Sequence, residues 1–332
     1  MRGLQHIQDE SVDIRETNLQ SQSPELLKQL LLDHNTQRFI FWASNDYKSL
    51  GEGYDYSDEI TPEKITGDNG QVIMPRVLKK KTLQDARVRD KAEVFTPSWL
   101  CNSQNNLVDN AWFGREGVFN TECFENSASF WIVNKNKVKF PRGKSWKSYI
   151  LSTRLEITCG EAPYLVSRYD TTTGDYIPVR QRIGLLDRKL RIVAENTSSL
   201  EEWREWAKKS YQSIYGYEWQ GDSLLLAREA LLYTYVDFYA DKFLKMPSVN
   251  ELLEIADIIS WNIWQMDGMR GVVPNSCHDI VVRTEDLFEV KETIVKCEGC
   301  KRNDKFSHNG VYCKIKDWET GDIVRFVDIL KS

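Results

Sequence analysis

Two sets of residues in this chain have the types and spacing for chemistry. The first is a cysteine–histidine cluster. Cys297-Glu298-Gly299-Cys300 is followed by His308 and Cys313, a C-x2-C-x7-H-x4-C pattern, and Cys277-His278 stands upstream. Three thiolates plus one more nitrogen or sulfur ligand make a closed tetrahedral zinc site. Gly299 fits the tight turn between paired cysteines. The candidate ligands are Cys297, Cys300 and Cys313, with His308 or Cys277 as the fourth and His278 a less favoured choice. A closed set makes the zinc structural. The plainer alternative is a group of free buried cysteines and an exposed histidine.

The second set is a series of acids at the ends of successive elements. Residues 155–165 read Leu-Glu-Ile-Thr-Cys-Gly-Glu-Ala-Pro-Tyr-Leu. An apolar run ends in Glu156, a turn glycine follows at Gly160, and apolar residues resume. A first β-strand of a nucleotide-binding α/β sheet hands over to its helix in this way, through a loop whose N–H groups approach a small ligand. Glu218 ends the next clear strand and Asp267 follows a third. Carboxyl ends of neighbouring strands line one crevice. There an ionised acid at the second strand accepts the hydroxyls of a ribose. Each acid taken singly is as readily a loop residue or a helix cap.

These residues need a frame, and the pattern supplies one. Ser23-Pro24 opens a helix with Leu26, Leu27, Leu30 and Leu31 on one face, after a loose arm over 1–22. Thr96-Pro97 opens another by the same logic. Residues 44–70 are turn-rich and acidic, and 112–146 hold short aromatic segments. Residues 149–157 read as the strand leading into the glycine turn. Ser198 and Ser199 before Glu201 and Glu202 form a capping signal. A strand over 214–218 precedes a long helix from Asp222 to about Phe243. Residues 280–295 look like one or two strands, and 323–330 like a last one.

Composition bounds the rest. In 332 residues, 41% hydrophobic and 28% charged residues describe a globular chain rather than a disordered one. The net charge of -5 gives no global basic signature, so a nucleic-acid partner needs a local patch. Two basic runs qualify. One is Arg76, Lys79, Lys80, Lys81, Arg87, Arg89 and Lys91; the other is Arg180, Arg182, Arg188, Lys189 and Arg191. Each is a solvated face or a contact to DNA phosphates. No apolar stretch is long enough to span a membrane, and no signal peptide is visible. Seven unevenly placed cysteines argue for a reducing compartment, so a cytoplasmic location is expected.

Four segments together carry a resemblance. Glu93-Val94-Phe95-Thr96-Pro97 resembles a Gly-Glu-Val-Phe-Thr-Pro motif, with Ala92 in place of its glycine. Glu156-Ile157-Thr158-Cys159-Gly160-Glu161-Ala162 resembles an Asp/Glu-Pro-Ala-Cys-Gly-x-Gly loop. Ile157, Thr158 and Ala162 replace the proline, the alanine and the second glycine. Tyr215-Gly216-Tyr217-Glu218, followed by Ala227-Arg228, resembles Gly-x-Glu…Ala-Arg. Asn262-Ile263 through Asp267-Gly268-Met269 resembles Asn-Ile-x-x-x-Asp-x-Leu. In this order they are similar to the amino-terminal half of the adenine-specific (N6) DNA methyltransferases of restriction–modification systems, the subunit M type. The resemblance implies a Rossmann-like class I α/β fold, here incomplete, with S-adenosylmethionine as cofactor. It implies cofactor contacts at Phe95, Thr96, Pro97, Glu156, Thr158, Cys159, Gly160, Glu218 and Asp267. Glu218 would hold the ribose and Asp267 would lie near the adenine ring.

The family's catalytic Asn-Pro-Pro-Tyr or Asp-Pro-Pro-Tyr motif, which holds a flipped adenine, does not occur; the chain has no Pro-Pro. No catalytic residue is therefore assigned. The chain is expected to be the cofactor-binding part of a split or truncated methyltransferase, with DNA as partner and a second subunit supplying catalysis and target recognition. The alternative is a non-catalytic homologue that binds DNA or protein, as a partner subunit or an inhibitor of a restriction system. The expected divisions are an N-terminal arm and helical region (1–90), a methyltransferase core (91–275), and a Cys-rich zinc-knuckle-like segment with a last strand (276–332).

Overall fold

The computed structural model describes residues 12–79, 81, 84, 88, 96–286 and 289–330. In chain order the helices are α1 (Glu16–Gln22), α2 (Pro24–Leu31), α3 (Pro62–Ile65), α4 (Ser98–Phe113), α5 (Trp146–Leu151), α6 (Leu185–Asn196), α7 (Leu200–Gln212), α8 (Gly221–Phe243), α9 (Val249–Asn262), α10 (Glu298–Arg302) and α11 (Phe326–Ile329). The strands are β1 (Leu32–Asp33), β2 (Arg38–Phe39), β3 (Asn120–Glu125), β4 (Ala128–Val133), β5 (Arg154–Glu156), β6 (Ile214–Glu218), β7 (Ile263–Gln265), β8 (Ile280–Asp286), β9 (Glu289–Val295), β10 (Lys314–Lys316) and β11 (Ile323–Arg325).

The positioning frame is a parallel sheet in the order β5-β6-β7, with Leu155 opposite Tyr215 and Tyr217 opposite Trp264. Helices α6 and α7 separate the first two strands, and α8 and α9 the next two. The molecule is thus α/β, but this sheet has three strands among the described residues, not the large parallel sheet that the resemblance implies. The other pairings are antiparallel: β1 with β2, β3 with β4, β8 with β9, and β10 with β11.

Helix α8 is buried on nearly every side and forms the axis of the core. At its centre Arg228 is fully buried. Its guanidinium donates to the carbonyls of Leu30 in the last turn of α2 and Leu32 just after it, of Ser260 in α9, and of Ile263 in β7. It satisfies helix-end carbonyls that would otherwise be orphaned. Burial draws its pKa down to about 10.

Several expectations change. The arm contains helix α1, whose Leu19 is buried; residues 1–11 lie outside the described ones. Within 149–157 only Arg154–Glu156 is strand, because Ser145 and Ser148 form a capping box that starts α5. Within 323–330, only Ile323–Arg325 is strand and Phe326–Ile329 turns into a helix.

The second basic run is largely internal. Arg182 and Arg168 share the Asp237 carboxylate at 2.6 and 2.9 Å. Arg188 meets Asp109 at 2.6 Å. Lys189 donates to the carbonyls of Ile150 and Ser152 and to the Ser213 hydroxyl. Arg191 pairs with Glu195 one helical turn on, and exposed Arg180 stands 3.7 Å from Asp241. Arg182, Arg188 and Lys189 are buried, so they contact no DNA phosphate. Asp187 accepts from the Ser167 N–H and hydroxyl and from the Gly184 N–H at the start of α6. In the first run, Lys79 is turned inward to Asp222, while Lys80, Arg87, Arg89 and Lys91 lie outside the described residues.

Candidate cofactor cavity and metal centre

A cavity of about 960 Å³ lies at the carboxyl ends of β5 and β6. It is near the upper end of the roughly 300–1,000 Å³ typical of small-molecule sites. The loop 157–164 forms its floor, Glu218-Trp219-Gln220 one side, and α4 another through Gln104, Asn105 and Val108.

The loop has an unusual backbone. Thr158, Gly160 and Ala162 have φ of 47°, 54° and 59°, so every second residue is left-handed. Ala162, the residue at the place of the resembled motif's second glycine, is one of these left-handed positions. Hydrogen bonds hold this shape. The Cys159 N–H donates to the Tyr217 carbonyl at 2.9 Å, and the Ala162 N–H to the Cys159 carbonyl at 2.7 Å. The Glu156 carboxylate accepts from the Tyr164 and Leu165 N–H groups, folding the loop back over the strand end. Cys159 packs against Gly216 so closely that a Cβ there would stand 3.4 Å from its sulfur and 3.2 Å from Ile263.

Glu218 is the hinge of the site. Its carboxylate accepts from the Gly160 N–H at 2.9 Å and from the Gln220 N–H at 3.1 Å. The second strand's acid is thereby joined to the glycine of the first loop. Burial raises the pKa of Glu218 and pushes Glu156 up to about 8, outweighing the amide bonds that favour the anion. Glu161, in the same loop, accepts from the Arg76 N–H and the Tyr169 hydroxyl.

The expected cofactor residues divide. Thr96, Glu156, Thr158, Cys159, Gly160 and Glu218 line the cavity. Pro97 is the N-cap residue of α4, and Phe95 lies outside the described residues. Asp267 does not line the cavity. Its carboxylate caps its own turn, accepting from the Met269 and Arg270 N–H groups, with the Arg270 guanidinium 3.4 Å away. Trp219, Gln220, Tyr164 and Asn105 line the cavity without having been singled out. The available signal was adjacency: Trp219 and Gln220 directly follow Glu218 in the sequence.

The second centre is a cluster of three cysteines and one histidine, Cys277, Cys297, Cys300 and His308, with ligand atoms all within 4.8 Å of one another. His308 Nδ1 stands 3.4 Å from the Cys277 sulfur and 3.6 Å from those of Cys297 and Cys300. Tetrahedral zinc with ordinary Zn–S and Zn–N bonds sets that separation at about 3.5 Å. The four groups can therefore coordinate a metal such as zinc. Two glycines make room: a Cβ on Gly299 would fall 2.7 Å from the His308 ring, and one on Gly310 3.0 Å from the Cys277 sulfur. Burial opposes ionisation of Cys297, but the Asn309 and Cys300 N–H groups and His308 overcome it and draw the thiol down to about 6. Burial and the neighbouring sulfurs push Cys277 up to about 12.

Cys313 is not part of the cluster. It is fully buried beside Tyr217, Trp264, Met266 and Val273, and its thiol donates to the Gln265 carbonyl at 3.4 Å. Cys277 takes the place expected for it. The hairpin β8–β9 spans the chain between Cys277 and Cys297, so a metal held by the cluster would fix its base. No known protein family, functionally characterised protein or solved structure matches this chain.

Proposed function

We propose that this chain binds S-adenosylmethionine and is the cofactor-binding part of a site-specific DNA adenine-N6 methyltransferase of a restriction–modification system. The observation that carries the reading is the hydrogen bond from the Gly160 N–H to Glu218, which joins a glycine loop to a strand-end acid at the mouth of a nucleoside-sized cavity. On this reading the three-stranded sheet is one part of a Rossmann-like class I fold. Glu218 accepts the ribose hydroxyls, Trp219 offers its face to the adenine, and Thr96 and the loop contact the methionine end. The cofactor supplies a sulfonium methyl for transfer to an amino nitrogen. This chain's residues bind and orient it. A second subunit supplies the Asn-Pro-Pro-Tyr segment, DNA contact and target recognition.

Zinc held by the three cysteines and His308 is structural, since four protein ligands leave no open position. Among the described residues no helix is long and apolar enough to cross a membrane, and all seven cysteines are free thiols. A cytoplasmic location fits both.

A second reading is a non-catalytic homologue that binds protein. It is favoured by the burial of Arg182, Arg188 and Lys189, which takes three of the candidate phosphate contacts out of reach.

Thermal unfolding with saturating S-adenosylmethionine, S-adenosylhomocysteine or adenosine tests the primary reading. Ligand at a hundredfold over Kd stabilises by about 2.7 kcal/mol. The two cofactor forms should raise Tm, and Glu218→Ala should abolish the rise. No shift in a folded chain contradicts the reading.

A further inference from the structure

A second cavity, of about 840 Å³, lies apart from the first, between the β3–β4 hairpin, the turn at Val179–Gln181, α6 and α8. Helix α6 borders both: Leu185 lines the first cavity and Asp187 the second. Trp131 and Phe238 are the large apolar side chains of its walls. The Trp131 indole N–H donates to the Gln181 carbonyl at 2.9 Å, which ties the hairpin to the turn and holds the ring. Cavities of this size with apolar walls take small molecules and orient them with a few polar groups.

Asp187 is the polar group available for that task. Its carboxylate is buried. Oδ2 accepts from the Ser167 N–H and hydroxyl and from the Gly184 N–H, whereas Oδ1 has no hydrogen-bond partner among the described residues. A buried acceptor left unpaired costs about 1–3 kcal/mol, so one held at a cavity wall suits a ligand that brings the donor. Burial lifts the pKa of Asp187 to about 6, and the nearby Arg182 favours its anion, so it is ionised at neutral pH. Arg182 and Arg168 also share Asp237. These four charges balance, and the fitting donor is therefore a neutral N–H or O–H; an ammonium would stand beside a guanidinium. The other charged side chains of the walls are engaged. Arg191 pairs with Glu195, Lys242 donates to the Ala194 and Thr197 carbonyls, and Arg180 stands 3.7 Å from Asp241. Lys135 lines the cavity, is exposed, and makes no ion pair among the described residues.

We propose that this second cavity binds a planar aromatic acid, which gives a neutral ring N–H or O–H to Asp187 Oδ1, lays its ring against Trp131 and Phe238, and turns its acid group to Lys135. The site does not rest on the methyltransferase reading: a chain that failed to bind S-adenosylmethionine would keep it.

Isothermal titration of the full chain at neutral pH with indole-3-acetate and 4-hydroxyphenylacetate tests the proposal. Their counterparts 1-naphthaleneacetate and phenylacetate carry ring and acid without the donor. The expected result is one site per chain, with each donor-bearing acid bound at least about fivefold more tightly than its counterpart. Asp187→Asn keeps one oxygen for Ser167 and Gly184 and puts an amide N–H where Oδ1 stood, so it should erase the preference for indole-3-acetate over 1-naphthaleneacetate. Circular dichroism and Tm check that it folds; Lys135→Glu, at an exposed position, serves if it does not and should weaken all four acids. Failure of both donor-bearing acids to bind, equal affinity with and without the donor, or affinities that the folded variant leaves unchanged overturn the proposal. So does displacement of indole-3-acetate by S-adenosylhomocysteine, which would put the probe in the first cavity.

Discussion

Sulfur placement decides the metal centre residue by residue. Cys277, Cys297 and Cys300 converge on His308, whereas Cys313 is core. The purified chain should therefore hold one zinc by elemental analysis. Cys277→Ser, Cys297→Ser and Cys300→Ser should each fall below about half an equivalent, since thiolate ligands supply the affinity. Cys313→Ser should keep its zinc and lower Tm instead, because it puts a hydroxyl into an apolar cluster. Zinc loss in Cys313→Ser with retention in Cys277→Ser would reverse the assignment. The sequence spacing showed that a cluster exists. It could not rank Cys277 against Cys313, because that choice depends on which cysteine the β7 carbonyl draws into the core. Asp267 is a similar case: its position after a strand was legible, but not that Oδ1 caps its own turn or that the Arg270 guanidinium stands beside Oδ2.

At the scale of elements, buried charge is the organising feature. Arg228 ties α2, α9 and β7 to α8 through four carbonyls. Arg188 joins α6 to α4 through Asp109. Removing one partner from such a site strands the others without water, so Arg228→Met and Arg188→Met should each cost about 3–5 kcal/mol in denaturant unfolding. A loss under about 1 kcal/mol would mean that these contacts are relaxed in solution. The basic run on α6 was legible as charge but not as interior, because nothing in its spacing reveals which neighbours supply Asp109, Asp237 or the α5 carbonyls. Capping signals were more legible: Ser199 caps α7 and Pro24 opens α2 as expected. The capping box at Ser145 was hidden by the β-like run Tyr149-Ile150-Leu151.

Helix α1 adds a pH dependence. Glu16 on α1 and Glu229 on α8 are both buried, and among the described residues no side-chain oxygen of either has a hydrogen-bond partner. Burial pushes Glu16 up to about 8, and burial with the neighbouring Glu16 raises Glu229. A carboxyl whose pKa is raised on folding stabilises fully below its unfolded value and loses that stabilisation as pH rises through the folded one. Stability should decline from about pH 5 to above pH 8. Glu16→Gln should unfold at higher Tm than the wild type by a margin that grows across this window. A margin independent of pH would show that Glu16 ionises freely in the fold.

For the whole molecule, the central relation is between the sheet and its cavity. Strand order β5-β6-β7 brings the loop after the first strand against the acid that ends the second, as their order in the sequence suggested. The size of the sheet was not legible, since strand count depends on pairing partners and not on any one segment. The most direct measurement is isothermal titration of the intact chain with S-adenosylmethionine at several pH values, beside Glu218→Ala. Glu218 must be ionised to accept ribose hydroxyls, and its pKa is raised by burial. The account predicts one site per chain, affinity that weakens as the pH is lowered toward and through the ordinary carboxylate range, and no binding in the variant. A folded chain that gives no heat of binding, or binding that Glu218→Ala leaves unchanged, would contradict it.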